Sequence, residues 1–219
     1  MQLNITDMQK NSETTAYRKQ LRERIMTSAM AMFRKRGVKS VKMDDIATAL
    51  SVSKRTLYEI FENKEILLYE GLRFEHESHL RDVRDFVETH HANVMDILLA
   101  FYHFQVEEFS QVSPDFFADL HRYPMVLQYL RNEDERNKEN AKDFFLRGIE
   151  EGFFRPDVNY DIVARVSKMG INGAMESKMF DEYSLSDIFS NMIMVFFRGI
   201  CTPKGLEVLD RFEIDSPSL

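Results

Sequence analysis

Apolar residues recur along this chain at intervals of three and four, the period of helices with one buried face. Leu21, Ile25, Ala29, Met32 and Phe33 form such a stripe and predict a helix over Tyr17–Arg36. Gly37 stands just past its end, where left-handed backbone costs glycine little, and Arg34, Lys35 and Arg36 suit the negative end of its dipole. Ile46, Ala47 and Leu50 share one face of a short second helix running from near Met43 to near Leu50, with Asp44 and Asp45 in its first turn. Leu57, Ile60 and Phe61 share a face of a third helix over Lys54–Phe61, for which Ser53 is a suitable N-cap. Asn63 can cap a long fourth helix from Lys64 to about Thr89, carrying Ile66, Leu67, Leu72, Leu80, Val83 and Val87.

Two short helices separated by a few small or polar residues have the spacing of a helix-turn-helix. Val52 lies between them, and Ala47 is small enough to let the second helix cross the first closely. The second helix of such a pair can lie in a DNA major groove. Further helices are predicted near 93–110, 114–130, 132–151, 159–178, 185–201 and 203–213, punctuated by Pro114, Pro124, Pro156 and Pro203. The expected fold is all-α: a flexible arm over 1–16, a three-helix head over 17–63, and a larger helical regulatory and dimerisation domain over 64–219.

Charge sharpens this division. The net charge of −7 argues by itself against a nucleic-acid binder, but it is unevenly spread. Residues 1–64 carry 13 of the 29 Lys/Arg and only 7 of the 36 Asp/Glu, a balance of +6 that leaves −13 for the remainder. A basic head on an acidic body suits contact with a polyanion at one end only. The single cysteine, Cys201, excludes an intrachain disulfide and a cysteine-rich zinc site. No apolar run approaches the roughly 20 residues of a membrane helix, and the polar N-terminus lacks the apolar core of a secretory signal. A cytoplasmic location without membrane contact is expected.

The residues Phe33 to Gly37, Asp44-Asp45-Ile46-Ala47, Val52 to Tyr58, and Phe61-Glu62-Asn63-Lys64-Glu65 with Leu67-Leu68 stand at fixed spacings without a gap. In this combination the chain resembles the TetR family of bacterial transcriptional regulators. A weaker echo, Glu151-Gly152-Phe153-Phe154-Arg155-Pro156-Asp157, looks like the turn before that family's dimerisation helices. The resemblance implies that helix three enters the major groove. Lys54 and Arg55 would then reach base edges from its first turn, and Arg55 is the better reader because a guanidinium can bond guanine at two acceptors. It also implies DNA contacts for Ser53, Thr56 and Tyr58, with Lys64 as a phosphate anchor and Lys42 within reach of another phosphate.

Three departures from the family pattern stand out. Ser51 takes a turn position where glycine is usual, and left-handed backbone there would cost on the order of 1 kcal/mol. Lys42 and Met43 replace hydroxyl residues that often cap helix two. Glu59 and Ile60 replace a frequent aromatic-or-histidine pair, so Glu59 either accepts from cytosine or repels phosphate, and no operator sequence carries over.

The segment 101–130 is dense in aromatics, and its Tyr102, His103, Phe109, Phe117, His121 and Tyr123, with Met169, Asn172 and Met175 from a later helix, are candidates to line a pocket for a small hydrophobic or amphipathic effector. At helical spacing, most such residues are simply core. The helices near 159–178 and 185–201 carry apolar residues on more than one face; the family resemblance favours a two-fold homodimer through them over burial within one subunit, with Gly170 and Gly173 permitting close packing. The competing readings are an all-helical adaptor or carrier without operator binding, and an enzyme. Glu88-Thr89-His90-His91 has Glu-x-x-His spacing, but a di-metal site needs a second copy and none is present. His76 and His79 do not form the zinc-protease motif. No Gly-rich phosphate loop occurs, so neither catalysis, metal nor cofactor is expected.

Overall fold

A computed structural model describes residues 5–215. Within them the chain folds into α1 (Ile5–Arg36), α2 (Met43–Ala49), α3 (Lys54–Ile60), α4 (Lys64–His90), α5 (Val94–Gln111), α6 (Pro114–Leu120), α7 (Pro124–Glu150), α8 (Tyr160–Glu176), α9 (Leu185–Ile200) and α10 (Pro203–Asp215). A single 3-10 turn at Met179–Asp181 joins α8 to α9.

Two expected boundaries move. The first helix starts at Ile5 instead of Tyr17, so residues 5–16 of the expected arm are helical; they contain no proline or glycine to stop a helix. Residues 1–4 of that arm lie outside the described residues. The helix expected over 114–130 is instead two. Pro124 lacks an N–H and disfavours helical backbone at Tyr123, so the chain turns at His121–Tyr123 and Pro124 opens α7, which runs unbroken through 131.

The helix ends follow local chemistry. Gly37 is left-handed with φ +76° and Ser51 with φ +55°, as their positions require. Ser53 Oγ accepts from the Thr56 amide at 3.0 Å, Asn63 Oδ1 from Ile66 at 2.9 Å, and Asn159 Oδ1 from Ile162 at 3.1 Å. Helix α2 has no hydroxyl cap; Asp45 reaches back instead, accepting from the Lys42 amide at 2.9 Å.

Packing divides the chain into two compact units. One runs up to Ser78 and includes Asp115–Tyr129; the other comprises His79–Pro114 and the chain from Leu130 onward. In the first unit Ile25, Met30, Phe33, Val38, Ile46, Leu57, Phe61, Leu67 and Leu68 are fully buried. Each such side chain contributes roughly 1.5–3 kcal/mol by leaving water. Met32, Leu50 and Ile60, at the edge of their stripes, are only half-buried.

The second unit is built on α5 packed against α9, with α8 alongside α9. Its core holds Val94, Met95, Leu98, Val106, Phe154, Phe189, Ile193, Phe197, Ile200, Cys201 and Leu209. The Glu151–Asp157 turn locks into this core. Phe154 lies so close to Gly148 that a Cβ there would stand 1.9 Å from its ring. The Arg155 amide donates to the Ile200 carbonyl at 2.9 Å, and the Thr202 amide to that of Phe153 at 2.9 Å. The Tyr160 hydroxyl closes the turn by donating to the Arg155 carbonyl at 2.6 Å.

Candidate nucleic-acid interface

Helix α3 buries Leu57 completely, half-buries Thr56 and Ile60, and turns its other side chains outward. Lys54, Arg55 and Tyr58 are exposed, and Thr56 is half-buried with its Oγ1 2.7 Å from Ser53 Oγ. The basic side chains are not loose. Lys54 Nζ donates to Asp44 of α2 at 2.5 Å, and this bond holds its ammonium pKa above the ordinary lysine value. Arg55 Nε donates to Glu59, one turn on, at 2.8 Å, which raises the guanidinium pKa in the same way.

Two arginines on α1 hold α3 from behind. Arg22 Nη1 donates to the Ile60 carbonyl at 3.1 Å, its Nη2 pairs with Glu70 of α4, and its guanidinium lies 4.5 Å over the Phe61 ring. Arg18 adds a long bond to the Glu59 carbonyl at 3.5 Å. Both lie outside the apolar stripe of Leu21, Ile25, Ala29 and Phe33. Their partners stand 38 to 48 residues away, and nothing local marks them.

Lys64, the expected phosphate anchor, is engaged within the chain. Its Nζ points into the turn between α1 and α2, donating to the carbonyls of Val38 at 2.8 Å and Val41 at 2.9 Å. Burial, partly offset by the field of Asp119, lowers its pKa below the ordinary lysine value. The ammonium thus acts first as a clamp on the loop that carries Lys42, which is exposed. Asp119 of α6, buried at 8% exposure, grips the same turn by accepting from the Lys39 amide at 2.6 Å. Gly37 is required here twice over: its φ is +76°, and an added Cβ would lie 2.9 Å from Asp115 Cβ.

The candidate effector residues fall in both units. Tyr102 and Phe109 pack against the core of the second unit: Tyr102 stands 5.8 Å from Phe212, and Phe109 4.8 Å from Phe189. His103 is exposed beside Phe212. Phe117, His121 and Tyr123 belong to the first unit, Phe117 against Phe116 and His121 exposed. Met169 and Asn172 face outward on α8, Met169 at 70% exposure, while Met175 is half-buried. Among the described residues no three His, Cys, Asp or Glu side chains come together to hold a metal ion. No described helix is long and apolar enough to cross a membrane.

The outward residues of α8 and α9 make a pattern of their own. Ile162, Val166 and Met169 are exposed one turn apart on α8, and Val195 is 71% exposed on α9. Gly170 serves packing within the chain, since an added Cβ would meet Met192 Sδ at 2.8 Å, whereas Gly173 opens onto free space.

A basic, outward-turned second helix of a helix-turn-helix, joined to an all-helical body, defines a DNA-binding regulator. Residues 25–70 match the sequence profile described as bacterial regulatory proteins of the tetR family. The chain is 30% identical over 149 residues to the HTH-type transcriptional repressor KstR2 of Mycobacterium tuberculosis, covering 66% of this chain and 74% of that one. KstR2 of Mycolicibacterium smegmatis is 28% identical over 163 residues, 66% of this chain and 72% of that one. Among solved structures, a transcriptional regulator of Saccharomonospora viridis in complex with choline superposes with a TM-score of 0.67 at 19% identity, covering 84% of this chain and 99% of that one. The ketosteroid regulator KstR2 of M. tuberculosis gives 0.53 at 23% identity, over 83% and 95%. The chain belongs to the TetR family and is a DNA-binding transcriptional regulator.

Proposed function

We propose that the protein is a cytoplasmic, homodimeric repressor whose hold on operator DNA is released by a small hydrophobic or amphipathic effector. The observation that carries this is the surface of α3: Leu57 fixes the helix in the head while Lys54, Arg55 and Tyr58 remain outside, available to a groove. The repressor output follows the KstR2 relatives. The ligands named for similar structures, a choline in one and a γ-butyrolactone receptor function in another, differ too much to transfer. An apolar effector class rests on the aromatics of residues 101–130 and the methionines of α8 alone.

Dimerisation is supported by the exposed row Ile162, Val166 and Met169 with Val195. Large apolar side chains in an uninterrupted row are costly to leave in water and mark association sites. In the mechanism, an effector bound in the body alters the separation of the two heads in the dimer. A coupling of ~1–3 kcal/mol would then change operator affinity five- to about 150-fold.

The test is a mobility shift of duplex from the protein's own promoter region across a salt series, repeated with candidate effectors. Retarded DNA whose affinity falls steeply with salt, and release by one compound class, is the expected result. Binding that is absent or indifferent to salt would favour the adaptor reading.

A further inference from the structure

Glu59 departs from the family pattern at a point where a carboxylate is costly beside DNA, and the structure shows what it touches. Its Oε1 accepts from Arg55 Nε at 2.8 Å, one helical turn back. The bond takes the side proton of the guanidinium and leaves the end-on edge, Nη1 and Nη2, for another partner. An arginine held this way has one bidentate approach left, two parallel donors aimed at the paired acceptors of a guanine edge. The helix segment bearing the carboxylate is itself fixed, because Arg22 binds the Ile60 carbonyl at 3.1 Å and Arg18 that of Glu59 at 3.5 Å.

We propose that Glu59 is a positioning residue for base readout: it aims Arg55 at guanine and, by cancelling charge on α3, suppresses its attraction to DNA of any sequence. This rests on the operator-binding reading above. It differs from both expectations for Glu59, direct contact with cytosine or simple repulsion of phosphate. Lys54 supports the second half of the argument, since Asp44 at 2.5 Å cancels the other charge of the reading helix. An arginine that is not held in place spends rotamer freedom on binding and slides toward the nearest phosphate, which carries no sequence information.

The experiment measures affinities of the full chain for its preferred duplex, for the same duplex with each guanine substituted in turn, and for random duplex. It compares wild type, Glu59→Ala, Glu59→Gln, Arg55→Ala and the Glu59→Ala/Arg55→Ala pair. Expected is a loss on the order of tenfold in discrimination at one guanine for both single alanine variants. The double variant should lose no more than Arg55→Ala alone. Glu59→Gln keeps an acceptor for Nε without the charge, so it should retain most of that preference while binding random duplex more tightly. If Glu59→Ala tightens preferred and random DNA equally with the guanine preference intact, Glu59 is a phosphate repeller and the proposal fails. If the Glu59 loss persists undiminished without Arg55, Glu59 reads a base itself and the proposal fails. A wild-type chain with no preference among duplexes would overturn the operator reading along with it.

Discussion

The two units of this protein are held together by different kinds of chemistry. In the first, short helices are fixed by individual polar contacts. Lys64 binds two loop carbonyls, Asp119 takes an amide, Arg22 spans three elements, and Gly37 and Ser51 supply left-handed corners. In the second, hydrogen bonds fix the Glu151–Asp157 turn, but packed aromatic shape carries the core. Aromatic rings pack at 4.4–6.3 Å around Phe154, Phe189 and Phe197, and Ile162, Val166 and Met169 of α8 with Val195 of α9 stay exposed. A reading head needs side chains aimed to a fraction of an ångström. A regulatory body with a variable ligand needs adaptable apolar volume instead.

That contrast makes quantitative predictions. The largest effect belongs to the shape-held unit: Phe154→Ala, which empties the space against Gly148, Phe144 and Phe145, should cost about 3–5 kcal/mol in urea unfolding. A loss under about 1 kcal/mol would mean the turn is not locked as described. Next is the outer face. Val195→Asp together with Ile162→Asp should weaken self-association at least ~100-fold, since each carboxylate would be buried unpaired in the interface. Sedimentation should find monomers of unchanged helix content, and an intact dimer would remove α8 and α9 from the interface.

Smaller effects sharpen the picture of the head. Gly37→Ala should lose roughly 2 kcal/mol, from left-handed backbone and the clash with Asp115; equal stability by denaturant titration would show that the turn relaxes. Lys64→Ala should lower thermal stability while leaving the salt slope of DNA binding unchanged. A slope lower by about one would instead restore the phosphate-anchor role. The smallest change is a gain: Ser51→Gly relieves a serine at φ +55° and should stabilise the head by up to about 1 kcal/mol, checked by the denaturation midpoint.

How much was legible in the sequence follows the same divide. Local rules act over three or four residues, so Ser53 and Asn63 announce their caps, Gly37 its corner, and Leu57 its burial. The motif spacing from Asp44 to Glu65 carried the family as well. What local reasoning missed is tertiary partnership. A lysine at a helix start looks identical whether it meets a phosphate or the carbonyls of Val38 and Val41, and an arginine such as Arg22 carries no sign of which loop it will bind. In the second unit periodicity finds the helices but not which apolar stripe faces inward. Met169 and Tyr102 therefore stood together as pocket candidates although one is exposed and the other packed. The break at Pro124 was visible in principle, since proline disfavours helix at the residue before it.

The central claim, that α3 of a two-fold dimer reads DNA, is tested most directly by selecting bound sequences from random duplexes with the full chain. The account predicts an inverted repeat, guanine at the position lost when Arg55 is replaced by alanine, and affinity that falls steeply with salt. Enrichment of no sequence, or of an asymmetric one indifferent to Arg55→Ala, would contradict it.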